Sequence, residues 1–273
     1  MYLGIDIGGT KTLVATLDDS GVIQERCRFP TPKDFEDFTT TLATTVASLT
    51  TSEFVACGVG FPGRLDREHG MGIAAGNLPW RNIDLRSTVK KIAHCPVVVE
   101  NDAKLAALSE AMLLKKEYNR VLYVTISTGI GIGLVADQSI EPALEDAEGG
   151  LMLLEHKGKL QKWETFASGH AIKRRFGKLA SQITDEPTWR IIAKDIAVGL
   201  IDLITVLQPE VIVLGGGVAT YYDRFKKPLT EILHTYETPL VPIPPIRQAA
   251  RPEDAVVYGC YDLAKSRYGS AHS

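Results

Sequence analysis

Cysteine is scarce and scattered. The chain has four, Cys27, Cys57, Cys95 and Cys260, with no CxxC pair, which excludes the dense disulfide framework of a small secreted domain and fits free thiols in a reducing cytoplasm. Long apolar runs are absent too. No segment approaches ~18 uninterrupted apolar residues, and the start, MYLGIDIGG, lacks the basic and then apolar pattern of a leader. A membrane location is therefore not expected. Nor is there an excess of positive charge: 30 Lys and Arg against 33 Asp and Glu give a net charge of -3, so no broad attraction for nucleic acid is expected. No tract is biased enough to stay disordered or to form a repeat array. The expectation is a cytoplasmic protein.

What is present is ordinary globular material. The chain has 273 residues, 45% hydrophobic and 23% charged, more than one core usually organises, so two lobes with a cleft between them are expected. Tyr2 to Ile7 and Leu13 to Leu17, broken at Gly8-Gly9 and followed by Asp18-Asp19-Ser20-Gly21, read as a hairpin. Phe35 to Leu49 reads as a helix, and Phe54 to Phe61 as a strand that Pro62-Gly63 ends. Val97 to Val99 reads as a strand delivering Glu100, Asn101 and Asp102 to a helix from Ala103 to Lys116. The pattern then restarts. Val121 to Ser127, a glycine turn and Leu134 to Ala136 repeat the opening hairpin, with a shift of about 119 residues laying Asp18 on Asp137 and Leu13 on Ile132. Ile191 to Leu207 has helical spacing, and Val211 to Leu214 is a strand running into three glycines. Strands alternating with helices make this an α/β protein. The expected lobes are 1–118 and 119–273, with a last helix around Val256 to Ser266 packing back across the first.

Three strands run into glycine turns: Asp6-Ile7-Gly8-Gly9-Thr10-Lys11-Thr12, Ser127-Thr128-Gly129-Ile130-Gly131, and Leu214-Gly215-Gly216-Gly217. Glycine lets backbone N–H groups converge closely on a phosphate chain, although each turn alone also reads as a tight hairpin or a helix entry. Asp6 lies inside an apolar strand, where an unpaired carboxylate is costly. Either a hydrated Mg²⁺ or nearby turn amides would compensate it. Lys11 reads as a phosphate ligand or as a solvated turn lysine. Asp102 reads either as a helix N-cap or as an acid at the strand end, where open α/β sheets bind ligands and where it can take a proton from a bound hydroxyl.

LGIDIGGTKT, GVGFPGRLD, NLPW, ENDAKLAALSEA, STGIGIG and PEVIVLGGG together resemble, in order, the ROK family of sugar kinases and repressors. The resemblance implies a two-lobed actin-like ATPase fold of the ribonuclease H-like class, with ATP and Mg²⁺ held mainly on the second lobe and a hexose in the cleft. It makes Asp102 the catalytic base and Asn101 the ligand of a sugar hydroxyl. Gly63, Asn77, Glu148 and Glu164 join the sugar side. Gly8, Gly9, Thr10, Lys11, Thr128 and Gly129 approach the phosphates, and Gly216 and Gly217 lie near the adenosine. Asp6 would hold Mg²⁺ through water.

The chain departs from the family pattern at Ala147-Glu148-Gly149-Gly150-Leu151 and Trp163-Glu164-Thr165-Phe166-Ala167-Ser168-Gly169. Leu151 stands where a histidine is expected, and the zinc-binding cysteine cluster is missing, so no zinc site is expected. His156 and His170 read as surface or helix histidines. Glucose is the expected acceptor and a homodimer the expected assembly. The alternatives are a polyphosphate-using glucokinase, a kinase for an N-acetylhexosamine, mannose or fructose, and a non-catalytic sugar-binding regulator. Against a DNA-binding repressor, the first phosphate turn arrives by residue 8.

Overall fold

The computed structural model describes residues 1–269. The chain divides into two compact units, one of Met1–Met112 with the C-terminal segment from Glu253, the other of Leu113–Pro252. The sequence places the change of unit in the loop between Lys115 and Arg120. In the structure it falls earlier, at Met112–Leu113.

The first unit opens with strands β1 (Tyr2–Ile7), β2 (Lys11–Leu17) and β3 (Ile23–Pro30), then helix α1 (Phe35–Ala47) and strand β4 (Ala56–Phe61). Three short strands, β5 (Gly63–Asp66), β6 (Met71–Ala75) and β7 (Arg81–Asp84), form an antiparallel meander. Helix α2 (Leu85–Ala93), strand β8 (Val97–Asn101) and helix α3 (Asp102–Leu114) follow. The main sheet has the order β3-β2-β1-β4-β8, with β1 antiparallel to β2 and parallel to β4. Side chains alternate across it, as the period of two requires. Leu3, Ile5, Ile7, Val14, Cys57, Val59, Val97 and Val99 join Phe38 and Leu42 of α1 and Leu85 and Val89 of α2 in one core. Tyr2, Leu13, Ala15, Leu17, Ala56 and Val98 pack with Val257, Tyr261 and Ala264 from the C-terminal helix in another. That helix approaches so closely that a Cβ on Gly58 would lie 2.3 Å from the carbonyl oxygen of Cys260.

The second unit repeats the plan. Strands β9 (Arg120–Ile126), β10 (Ile130–Ala136) and β11 (Ser139–Ile140) precede the hairpin β12 (Leu153–His156) and β13 (Lys159–Lys162). Helices α4 (Glu164–Ala167), α5 (Gly169–Phe176) and α6 (Glu186–Leu207) lead to β14 (Val211–Gly215), α7 (Gly216–Ala219), α8 (Tyr222–His234) and β15 (Ile246–Gln248). Helix α9 (Ala255–Tyr268) then returns to the first unit. The sheet order β11-β10-β9-β14-β15 matches the first, with antiparallel and parallel pairs in the same places. Asp6 pairs with Gly60 in one sheet, and Thr125, 119 residues on, pairs with Gly215 in the other. Its core joins Leu122, Val124 and Ile126 to Trp163, Trp189, Ile192, Ile196 and Phe225.

The sequence reading misses the meander, which begins where Pro62-Gly63 is read as a stop. Its strands are four or five residues long and rich in glycine, too short to show alternation, and one carries an irregular register between Arg64 and Leu65. Gly63 is needed there, since a Cβ would lie 2.1 Å from the carbonyl oxygen of Ala74. No helix among the described residues is long and apolar enough to cross a membrane.

Candidate active site

In the first unit, Asp6, the Gly8–Lys11 turn, Gly63, Asn77, Asn101 and Asp102 cluster at the ends of β1, β4 and β8. Glu100, next to last in β8, is nearly buried, at 5% exposure, and Arg67 forks onto it at 2.8 Å and 2.7 Å. Its Oε1 also accepts the Asn101 amide at 2.6 Å. Asn101 in turn accepts from the Ala103 and Lys104 amides at 3.0 Å and 3.3 Å, and its Nδ2 donates to the Gly63 carbonyl at 3.2 Å. Asn101, not Asp102, is thus the N-cap of α3. Asp102 is the first helical residue, its Oδ1 accepting the next amide, of Ala103, at 2.8 Å. At the positive end of the helix, which favours its ionised form, its carboxylate can act as the acceptor for the proton of a bound hydroxyl.

Asp6 is half-buried on β1. Burial first, and the neighbouring Asp102 carboxylate second, push its carboxyl up to about 7, against the opposing pull of Lys11 and Arg28. The Gly8 amide donates to the Lys11 carbonyl at 3.0 Å rather than to Asp6. A half-buried carboxylate beside a second one suits a bound cation. Lys33, which sequence reasoning missed, donates to the Gly9 and Asn77 carbonyls at 3.0 Å and 3.3 Å. Trp80 Nε1 holds the Lys33 carbonyl at 2.8 Å, so the NLPW loop is fastened to the glycine turn, and a Cβ on Gly9 would lie 2.7 Å from that of Asn77.

In the second unit, Thr128, Gly129, Glu148, Glu164, Gly216 and Gly217 gather around the β9–β10 turn. A Cβ on Gly129 would lie 2.7 Å from Oε2 of Glu164. Glu148 precedes a short 3₁₀ turn, Gly149–Leu151, that packs on β10 so tightly that a Cβ on Gly150 would lie 2.3 Å from the Ile130 carbonyl oxygen. Gly216 has φ +82° with Ser127 Oγ 2.5 Å from where its Cβ would be, a left-handed position that favours glycine. Ser127 Oγ accepts the Gly217 amide at 3.3 Å, and the Ser127 carbonyl accepts that of Gly169 at 2.7 Å. Beside these turns is a pocket of about 490 Å³, lined among others by Thr128, Gly217, His170, Lys173, Leu179 and Tyr221. That volume takes a nucleotide-sized ligand. The pocket combines a cation, Lys173, which suits phosphates, with the apolar and aromatic walls of Leu179 and Tyr221, which suit a base. His170 is an exposed residue of helix α5, as read, and also lines this pocket, whereas His156, read as a surface or helix residue, lies on β12 with its side chain 13% exposed.

A family model described as "ROK family" matches residues 2–267. The chain belongs to the ROK family. Among ROK relatives, the glucokinase of Streptomyces coelicolor is 27% identical across 97% of this chain and 98% of its own. The fructokinase of Pediococcus pentosaceus is 28% identical across 90% of each. The crystal structure of a ROK family glucokinase from Streptomyces griseus in complex with glucose and AMPPNP has a TM-score of 0.81 at 24% identity, covering 97% of this chain and 99% of that one. The fold is the actin-like ATPase fold expected from the motifs. Among the described residues no group of three or more His, Cys, Asp or Glu side chains is arranged to hold a metal ion.

Proposed function

We propose that this ROK protein is an ATP- and Mg²⁺-dependent hexose kinase that phosphorylates glucose to glucose 6-phosphate. The observation that carries the reading is the end of β8, where Asn101 caps α3 and leaves the Asp102 carboxylate at the helix start beside Asp6. A hexose hydroxyl bound there, oriented by Asn101, loses its proton to Asp102 as its oxygen attacks the γ-phosphorus, and the bridging oxygen leaves with ADP. The second unit's pocket supports ATP as donor. Asp6 would hold a magnesium ion through water, which supplies charge neutralisation to the phosphates. Gly9, Thr10, Lys11, Thr128 and Gly129 would bind those phosphates, Gly216 and Gly217 the adenosine, and Gly63, Asn77, Glu148 and Glu164 would shape the sugar site.

The choice of glucose over fructose rests on the glucokinase-like NLPW segment and paired glutamates, and is the part most open to experiment. ADP release is measured with ATP, Mg²⁺ and a panel of hexoses, and repeated with polyphosphate as donor. Glucose is expected to give the highest kcat/KM. Asp102→Asn is expected to lower kcat by about 10²–10⁴-fold, the usual contribution of a positioned base, while sugar still raises the melting temperature. Turnover undiminished in Asp102→Asn would remove the base from the mechanism.

A further inference from the structure

Asp195 lies in the middle of α6, buried at 6% exposure, and nothing in the reaction uses it. Three segments flanking Glu164 nonetheless converge on this one residue. His156, at the end of β12, meets Oδ1 through Nε2 at 3.1 Å. Arg175, in the last turn of α5, donates to Oδ2 at 2.6 Å. The indole N–H of Trp163, immediately before Glu164, donates to the Asp195 carbonyl at 3.1 Å. Trp163 is fully buried against α6, where a Cβ on Gly199 would lie 2.2 Å from the indole ring. Beyond Glu164, Phe166 stacks on His156 with ring centroids 4.2 Å apart and planes 5° from parallel. Arg174, next to Arg175, donates to the Thr165 carbonyl at 2.5 Å.

We propose that Asp195, with His156 and Arg175, is the positioning group that fixes Glu164 against the Thr128–Gly129 turn and so sets affinity for the sugar. This rests on the kinase reading, in which Glu164 faces the acceptor. A buried ionic cluster contributes little net stability compared with well-packed apolar side chains, so its value here is conformational. The four-residue α4 makes one helical turn, too short to hold its own geometry. Trp163 just before it and Phe166 within it are pinned by Asp195 directly and through His156, while Arg175 draws in α5, whose first amide holds the Ser127 carbonyl. Glu164 and the glycine turn are thereby referred to the same residue of α6. A shift of Glu164 is felt most by ligands that touch it and less by a nucleotide at Gly217 and Tyr221, which α5 reaches through Gly169, His170 and Lys173.

The test uses the full chain carrying Asp195→Asn, Arg175→Gln or the conservative Arg175→Lys, with two readouts. Hydrogen exchange follows the amides of Phe166, Ala167 and Ser168, which are bonded to the Trp163 and Glu164 carbonyls, and steady-state kinetics separates sugar KM from nucleotide KM. Asp195→Asn and Arg175→Gln are expected to speed exchange in this segment and to raise sugar KM about tenfold, the factor that ~1.4 kcal/mol represents, with a smaller rise in nucleotide KM. Arg175→Lys should restore most of both. Arg175 is partly exposed, so its variants keep the test alive if Asp195→Asn does not fold. Exchange at wild-type rates in a folded variant, or nucleotide KM rising as much as or more than sugar KM, overturns the proposal. Exchange is read without turnover, so a wild-type protein inactive with every sugar would count against the kinase reading alone.

Discussion

Replacing Asp6 by Asn should stabilise the protein by an amount that grows as pH rises from about 4 to about 7. In the unfolded chain an aspartate titrates near 4; in the folded protein, burial and the Asp102 carboxylate raise Asp6 to about 7. The fold therefore disfavours the ionised form. Below pH 4 the carboxyl is neutral in both states and costs nothing extra; as pH rises through the interval from 4 to 7 the unfolded state loses its proton first, and stability falls until the folded group has also ionised. About 3 units of displacement at 1.36 kcal/mol each set a ceiling of ~4 kcal/mol above pH 8, reduced by whatever water reaches this half-buried side chain. Asp6→Asn keeps the shape without the charge. Denaturant unfolding of both proteins from pH 4.5 to 8.5 should give the smallest difference at the acid end and an advantage to Asp6→Asn that grows to ~2–4 kcal/mol at the alkaline end. Asp102→Asn should shrink the effect by removing the second contributor, and Mg²⁺ should narrow the gap at pH 8 by favouring the ionised form. A difference that does not change with pH, or a less stable Asp6→Asn at pH 8, would refute the argument.

Arg67→Ala leaves Glu100 buried without the fork that now satisfies it, and should cost about 3–5 kcal/mol in denaturant unfolding; adding Glu100→Gln should recover part of that. Gly129→Ala places a methyl 2.7 Å from the Glu164 carboxylate, so Glu164 must swing away, and sugar KM should rise several-fold with thermal stability nearly unchanged. Gly216→Ala and Gly217→Ala should separate cleanly in a melting experiment. The first forces alanine into φ +82° against Ser127 and should cost about 1–3 kcal/mol, whereas the second meets no atom within 4 Å and should change only nucleotide KM.

Long elements with regular patterning were legible in the chain. The apolar run Tyr2–Ile7 and the helical spacing up to Leu207 were both legible; the strand bounds agree with the sequence reading, and the helix begins five residues earlier than read. The opening of α6 at Glu186 was missed because Asp185, its N-cap, is followed by Pro187, which reads as a break although proline is well tolerated in a first turn. Motif residues were legible because glycines and acids at strand ends are rare enough to be noticed. The residues that fasten them were not. Lys33, Arg67, Arg175 and Asp195 are ordinary charged side chains in sequence, and only long-range contacts, such as the one between Arg67 and Glu100, give them a task. The choice between Asn101 and Asp102 as cap was equally hidden, since either side chain caps well and one residue of helix phase decides it.

The matched strand orders of the two sheets bear on how such a protein can change over evolutionary time. If one ancestral half was copied, each strand end now exists twice and has been free to diverge separately. The strand position that carries the acid Asp6 in one half carries the hydroxyl of Thr125 in the other, each beside a glycine of its neighbouring strand. The turn that follows is one residue shorter in the second copy, with three residues between Ile126 and Ile130 against four between Ile7 and Thr12. Inheritance of this kind lets a lineage alter what one copy recognises while the other keeps its ligand, because a mutation at a strand end in one sheet leaves its counterpart untouched.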